Sequence, residues 1–165
     1  MPQSPEAYLD IETTGLNRVF DEITVIGIYI CRHDGTELIQ LVGDEISSTA
    51  VSNCLKGIET VHTYNGSRFD LPFIEYKFGL DVQDLCQHRD LMYDCWRHEL
   101  RGGLKAVEQQ LGIPRVLVEV NGLVAVRLWW QYRNNYDKKA LSTLLEYNKE
   151  DVVNLKTLKA HLDSR

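Results

Sequence analysis

The apolar and polar positions change period several times along the chain, and the changes divide it into short elements. Ala7–Ile11 is apolar and runs into Thr13-Thr14-Gly15, which predicts a strand followed by a turn. Ile23, Val25, Ile26, Ile28, Tyr29 and Ile30 mark a second strand over Glu22–Cys31. His33-Asp34-Gly35 is a turn signal, and Glu37–Val42 reads as a third strand returning antiparallel. Ser48–Lys56 predicts a short helix, capped by Ser or Thr and ended by Gly57. Glu59–Tyr64 is a fourth strand, and Asp70–Phe78 a helix with Pro72 in its first turn and Gly79 after its end. Asp90–Trp96 starts extended and continues as helix, and Leu104–Leu111 is helical and closed by Gly112. Asn121-Gly122 fits either a hairpin or a helix start. The spacing of four between Val124, Leu128 and Tyr132 favours a helix capped by Asn121. Lys139–Leu162 reads as one long amphipathic helix.

Strands and a hairpin first, then strand–helix alternation, predict an α/β fold in which a mixed sheet carries packed helices. There is no repeat and no low-complexity stretch, so 165 residues predict a single domain over 1–165. No run of about 18 apolar residues exists, so no membrane partner is expected. Met1-Pro2-Gln3-Ser4-Pro5 lacks a basic region followed by an apolar one, so no secretory signal is expected. Cys31, Cys54, Cys86 and Cys95 have no CxxC spacing, which argues against zinc ribbons and redox motifs and predicts free thiols in the cytoplasm.

The net charge of −6 argues at first against a nucleic-acid partner. Its distribution changes that reading. Residues 1–87 carry 5 Lys and Arg against 14 Asp and Glu, residues 88–139 carry 9 against 6, and residues 140–165 carry 4 against 4. The acid is concentrated in the first half. Bound divalent cations would offset part of it without creating a broad basic surface, which suits grip on a short strand end more than on a long duplex.

Three groups of carboxylates stand out. Asp10 and Glu12 are two apart on the first strand, so both share one sheet face with Tyr8. On spacing alone this pair is equally a solvated acidic strand end. On the last helix, at about 100° per residue, Leu144, Leu158 and Leu162 fall within about 20° of Asp151, and Tyr147 and Leu155 within about 40°. Asp151 therefore sits at the centre of an apolar stripe, with Asn148 close by, where a charge needs a cation or a dense hydrogen-bond shell. Asp70 lies where a strand end meets a helix start, and helix capping alone would explain it.

Together these segments resemble the DEDD superfamily of 3′–5′ exonucleases. The D-x-E motif is Tyr8-Leu9-Asp10-Ile11-Glu12-Thr13-Thr14-Gly15-Leu16. The second motif lies within Tyr64-Asn65-Gly66-Ser67-Arg68-Phe69-Asp70-Leu71-Pro72. Tyr147-Asn148-Lys149-Glu150-Asp151 fits the Y-x3-D motif of the Tyr branch, DEDDy; the His branch would need His where Glu146 stands. Asp90-Leu91-Met92-Tyr93-Asp94-Cys95 and Leu104-Lys105-Ala106-Val107-Glu108 also look like a bacterial and archaeal subgroup of predicted ribonuclease H-like exonucleases. A more distant similarity is to the proofreading domains of family B DNA polymerases.

The resemblance implies a ribonuclease H-like fold: a five-stranded mixed sheet with its first three strands antiparallel, a fifth strand near His88–Leu91, and helices on both faces. It implies hydrolysis of phosphodiester bonds from the 3′ end of single-stranded DNA or RNA, releasing nucleoside monophosphates, with two divalent ions, Mg²⁺ or Mn²⁺. Hard ions take oxygen ligands, which suits carboxylates and no Cys/His cluster. Asp10 would bridge the ions, Glu12 and Asp151 would hold the water-activating one, and Asp70 the second. Tyr147 would orient the attacking water, since a phenol with a pKa of about 10 is a poor base near neutrality. Thr13, Gly15, Leu16, Asn65 and Phe69 would meet the terminal nucleotide. Leu16 is equally an ordinary turn-packing residue.

Arg68, Arg97, Arg101, Lys105 and Arg133 are expected as solvated charges ahead of phosphate contacts. Trp129, Trp130 and Tyr132 have helical spacing and are expected in the core, with one Trp exposed. Asp90 and Asp94 are expected as a cap or ion-pair partners, and no histidine receives a catalytic role. Two alternatives compete with exonuclease: an endonuclease of the same fold, and a catalytically silent nucleic-acid-binding module. With so little basic surface, a larger protein or partner could supply substrate grip.

Overall fold

The computed structural model describes residues 4–165; Met1–Gln3, part of the segment read for a secretory leader, lie outside the described residues. Strand β1 (Glu6–Thr13) lies at the centre of a five-stranded sheet of order β3-β2-β1-β4-β5. On one side it pairs antiparallel with β2 (Ile23–Arg32), which pairs antiparallel with β3 (Gly35–Val42). On the other side it pairs parallel with β4 (Thr60–Thr63), which pairs parallel with β5 (Gln87–Asp90). This is the mixed sheet expected from the sequence, with the three antiparallel strands first.

Alternation along β1 divides its side chains between two faces. Ala7, Leu9 and Ile11 pack with Ile26 and Ile28 of β2, and with Leu55, Phe73 and Ile74 from the segment holding α1 (Ser48–Cys54) and α2 (Asp70–Phe78). Tyr8 faces the opposite layer, where α3 (Leu91–Arg97), α4 (Leu104–Leu111), α5 (Gly122–Asn135) and α6 (Lys138–Asp163) lie. There Leu155, Leu158 and Leu162 from the apolar stripe of α6 pack beside Val152, and Leu144 and Tyr147 of the same stripe pack against α5. Helices therefore cover both faces.

Several boundaries move by a few residues. β1 extends to Thr13 rather than stopping at Ile11, because Glu12 still pairs with Val25. The register then shifts between Glu12 and Thr13, a local irregularity that ends the strand beside its carboxylates. α1 ends at Cys54 rather than Lys56, whose N–H closes a turn on Asn53. The choice at Asn121 is settled by its side chain, which accepts from the Val124 N–H at 3.0 Å and caps α5. Trp129 is buried and Trp130 is 46% exposed, the split expected from the sequence.

One close approach fixes α6 on the sheet. Asn148, fully buried, accepts from Gln40 Nε2 at 3.0 Å and donates to the Asp10 carbonyl at 3.3 Å. Its amide occupies the space above Gly27, the β2 partner of Asp10; a Cβ at Gly27 would collide with Asn148 Oδ1. We predict that Gly27→Ala lowers stability by about 1–3 kcal/mol, the range for overpacking. Urea denaturation checks this, and an unchanged midpoint would show that the amide is free to move aside.

Candidate metal centre

β1 and α6 bring the candidate carboxylates together from 139 positions apart in sequence, Glu12 to Asp151. One ligand oxygen each from Asp10, Glu12 and Asp151 lie within 4.8 Å of one another. Glu12 and Asp151 are buried, and Glu12 Oε1 has no hydrogen-bond partner among the described residues. A buried, unpaired carboxylate oxygen beside two further carboxylates is costly without a cation. The donor set is all oxygen, so the residues fit one or more hard divalent ions.

Asp70 stands slightly apart. It is 3% exposed, and its Oδ2 accepts from the Ile11 N–H at 3.0 Å. It is not the helix cap that the sequence allowed: Phe69 is the cap residue, without a side-chain cap bond, and Asp70 is the first residue of α2. Its carboxylate instead reaches across to the backbone of β1 at Ile11, between Asp10 and Glu12 in sequence.

The electrostatics follow from burial. Desolvation, then the Asp151 charge, push Asp10 and Glu12 well above the ordinary carboxylate range. Burial raises Asp70 to about 7, against the pull of the Ile11 N–H. Burial raises Asp151 to about 6, and the neighbouring Arg115 restrains the rise. Tyr147 is also pushed up, by burial and then by Asp151. Its phenol therefore stays protonated and able to donate.

Arg115 and Glu108 carry no role in the sequence reading. Arg115 Nη2 donates to Asp151 Oδ1 at 2.5 Å, and Arg115 also forms a two-pronged pair with Glu108 at 2.8 Å on each oxygen. All three side chains are buried. Asn154 Nδ2 adds a bond to Glu108 Oε1 at 3.2 Å. Charged groups so placed are worth little as net stability but fix geometry, because loss of one partner strands the others. Glu108 was detectable: Leu104, Val107 and Leu111 put it on the apolar face of α4, as Leu144 and Leu155 do for Asp151. Arg115 lies in the loop after α4, where no periodicity signals it. Lys105, expected as a solvated charge, is half-buried and its Nζ lies 4.9 Å from the Tyr147 ring centroid. A cavity of about 300 Å³ there is lined by Asp10, Tyr64, Lys105, Tyr147 and Asp151.

The expected substrate residues mostly gather beside this centre. Thr13, Gly15, Leu16 and Phe69 line a cavity of about 570 Å³ with Glu12 and Leu123. Leu16 is 87% exposed, which removes the turn-packing alternative. Its loop is held by Asp21, which accepts from the Asn17 N–H at 2.9 Å, and by Thr13 Oγ1 donating to the Gly15 carbonyl at 2.6 Å. Asn65 does not line that cavity. It takes a left-handed backbone (φ 62°) and gives its N–H to Asp90 at 2.8 Å. Asp90 also caps α3, and Asp94 pairs with Arg89 and Arg97, the cap and ion-pair roles expected from the sequence.

The raised carboxylates make stability depend on pH. The folded chain holds protons that the unfolded chain, with ordinary carboxylates, has released. Stability from these groups is therefore fully present at acid pH and is lost as pH rises through their folded values. His62 acts in the opposite direction, but only below its ordinary 6.5, because burial depresses it to about 4. We predict that in EDTA the melting temperature rises on acidification from about pH 8.5 to about 6.5, and that Mg²⁺ raises it most at the alkaline end. Thermal melts check both; a melting temperature that falls across that window in EDTA would contradict the cluster's repulsion.

A family model described as the RNase_H superfamily matches residues 7–163. No curated protein matches the chain. The chain is similar in structure to the family B DNA polymerase of the hyperthermophilic archaeon Pyrobaculum calidifontis, with a TM-score of 0.74 and 17% identity over 98% of this chain. It spans only 25% of that polymerase's length. NrnC of Brucella melitensis, bound to pGG, is similar over 97% of this chain and 72% of its own, with a TM-score of 0.65 and 26% identity. The same Brucella protein with bound Mg²⁺ matches with a TM-score of 0.59 and 24% identity, over 97% of this chain and 72% of its own. The likenesses below 25% identity carry the fold alone. The motif resemblance holds at the level of the DEDD exonucleases, which share this fold. With nearly every described residue inside the matched span, the chain belongs to the RNase_H superfamily.

Proposed function

We propose that residues 1–165 form one exonuclease domain of the Tyr branch, which hydrolyses single-stranded DNA or RNA from the 3′ end and releases nucleoside monophosphates. The observation that carries this reading is the grouping of Asp10, Glu12 and Asp151 within 4.8 Å, with an unpaired buried oxygen on Glu12. Similarity to the pGG-bound Brucella nuclease supports a nucleic-acid substrate, and its Mg²⁺-bound form supports a hard divalent ion. The four free cysteines support a reducing compartment, the cytoplasm.

When bound, two Mg²⁺ or Mn²⁺ ions supply an activated water and relief of phosphate charge. Asp10 would be among the residues that hold them. Glu12 and Asp151 would help hold the ions, with Arg115 fixing Asp151 through one of its oxygens. Asp70, one of whose oxygens accepts from the Ile11 N–H, would add a further carboxylate to hold the ions. Tyr147 keeps its proton and donates to the attacking water, fixing its line of approach. Leu16 and Phe69 would press on the terminal base, with Thr13 and Gly15 shaping the wall. Asn65 would act from the neighbouring turn.

End-labelled single-stranded DNA and RNA, each with Mg²⁺ and with Mn²⁺, test the reading. Mononucleotides are expected from the 3′ end only. Asp10→Ala and Asp151→Ala should abolish activity; full turnover in either would refute the site. Tyr147→Phe should slow hydrolysis by up to about a hundredfold, the scale of misplacing a reacting group, while calorimetric Mn²⁺ binding stays nearly intact. Normal turnover with lost metal binding in that variant would sink the water-orienting role.

A further inference from the structure

Two arginines beside the cleft are held by aromatic rings. Arg68, in the turn before α2, places its guanidinium carbon 5.6 Å from the Trp96 ring centroid and 5.8 Å from that of Tyr93. Arg101, just before α4, places its own 5.8 Å from Trp96. The two rings meet edge to face at 5.2 Å, so one aromatic pair on α3 holds both cations. Both arginines are exposed, and neither makes an ion pair among the described residues. Their neighbours differ: Arg89 and Arg97 pair with Asp94, and Arg115 with Glu108 and Asp151.

An aromatic face steadies a guanidinium but uses none of its five N–H donors. Such a group is ready for an anion with paired oxygens, and a phosphate matches its fork. The backbones that carry both arginines are also fixed. Ser67 binds Asp90 through N–H and hydroxyl, at 3.1 and 2.6 Å, immediately before Arg68. Gln110 Nε2 donates to the Arg101 carbonyl at 2.8 Å, and the Tyr64 hydroxyl to the next carbonyl, Gly102, at 2.6 Å. Both positions border the site. Arg68 lines a cavity with Leu16 and Phe69, while Tyr64 lines the one containing Asp10 and Asp151.

We propose that Arg68 and Arg101, seated on Trp96, bind two successive backbone phosphates of the single strand, upstream of its terminal nucleotide. The occupant follows from charge: the chain is net −6, and this unpaired cationic pair adjoins a carboxylate site built for a phosphodiester. This inference rests on the exonuclease reading for the identity of the strand, but its test reads binding apart from turnover.

The test is fluorescence anisotropy with a labelled single strand of about 12 nucleotides, within the span that one single-strand-binding fold covers, in Ca²⁺ across a salt series. Wild type is compared with Arg68→Gln/Arg101→Gln, and with Arg32→Gln/Lys56→Gln as a charge-matched control at the far end of β2. The slope of log affinity against log salt should become shallower by about 1.4 in the first variant, at about 0.7 per phosphate contact, and should not change in the control. Strand binding with the expected slope change but no hydrolysis would support the patch and refute the exonuclease reading. Hydrolysis with an unchanged slope would overturn the patch and leave that reading standing. No binding by wild type, or an equal slope change in the control, would also overturn it.

Discussion

Mutual repulsion among Asp10, Glu12 and Asp151 is the constraint on which the rest of the structure turns. Three carboxylates within 4.8 Å, two of them buried, oppose the packing that brings them together. What holds them is apolar. Leu9 and Ile11 anchor β1 from the opposite face, and Val152, Leu155 and Leu158 seat α6. The repulsion is local, whereas the burial that resists it extends along a 26-residue helix and the central strand. That imbalance is what allows a fold to keep charge where water screens it poorly.

The polar contacts around the cluster direct that force. Asn148 ties α6 to the Asp10 carbonyl and to Gln40, and Gly27 leaves room for it. On the other side, Glu108 holds Arg115, and Arg115 holds one oxygen of Asp151. Glu150 accepts from the Val116 and Leu117 N–H groups at 2.6 and 2.7 Å, binding the same loop to α6. The loop after α4 is thus fastened to the helix that carries Asp151 on both sides of that residue. A carboxylate held at one oxygen retains its aim when a cation arrives at the other, so these bonds set orientation more than net stability.

Legibility from sequence followed the range of the interactions. Strand and helix positions come from local periodicity, with ends shifted where long-range pairing extended β1 and a turn shortened α1, whereas the five-stranded sheet was what the resemblance implied. Asp151 was legible because it breaks an apolar stripe. The same logic applied to α4 would have exposed Glu108. Arg115 was not legible, because its role depends on two partners on other elements and its own loop has no period. Asp70 was ambiguous for a physical reason: a carboxylate at a helix start can cap, and only the fold shows its oxygen on Ile11. Leu16 and Phe69 were indicated by resemblance alone, since exposure in a cleft leaves no mark on hydrophobic pattern.

The charge distribution, which first argued against a polyanionic partner, becomes consistent once distance is considered. At physiological ionic strength the screening length is about 8 Å, so acids far from the cleft count for little. What an approaching phosphate feels is decided within that range. Near the centre, Asp151 is partly balanced by Arg115 and Lys105, and the remaining carboxylates suit divalent cations. Further along, Arg68 and Arg101 stand without acidic partners among the described residues. Most of these cations come from residues 88–139, the stretch where Lys and Arg outnumber Asp and Glu. The acidic first half supplies Asp10, Glu12 and Asp70, α6 adds Asp151, and the basic middle sets Arg115 and Lys105 beside them. An overall charge of −6 therefore describes the average surface and not the cleft.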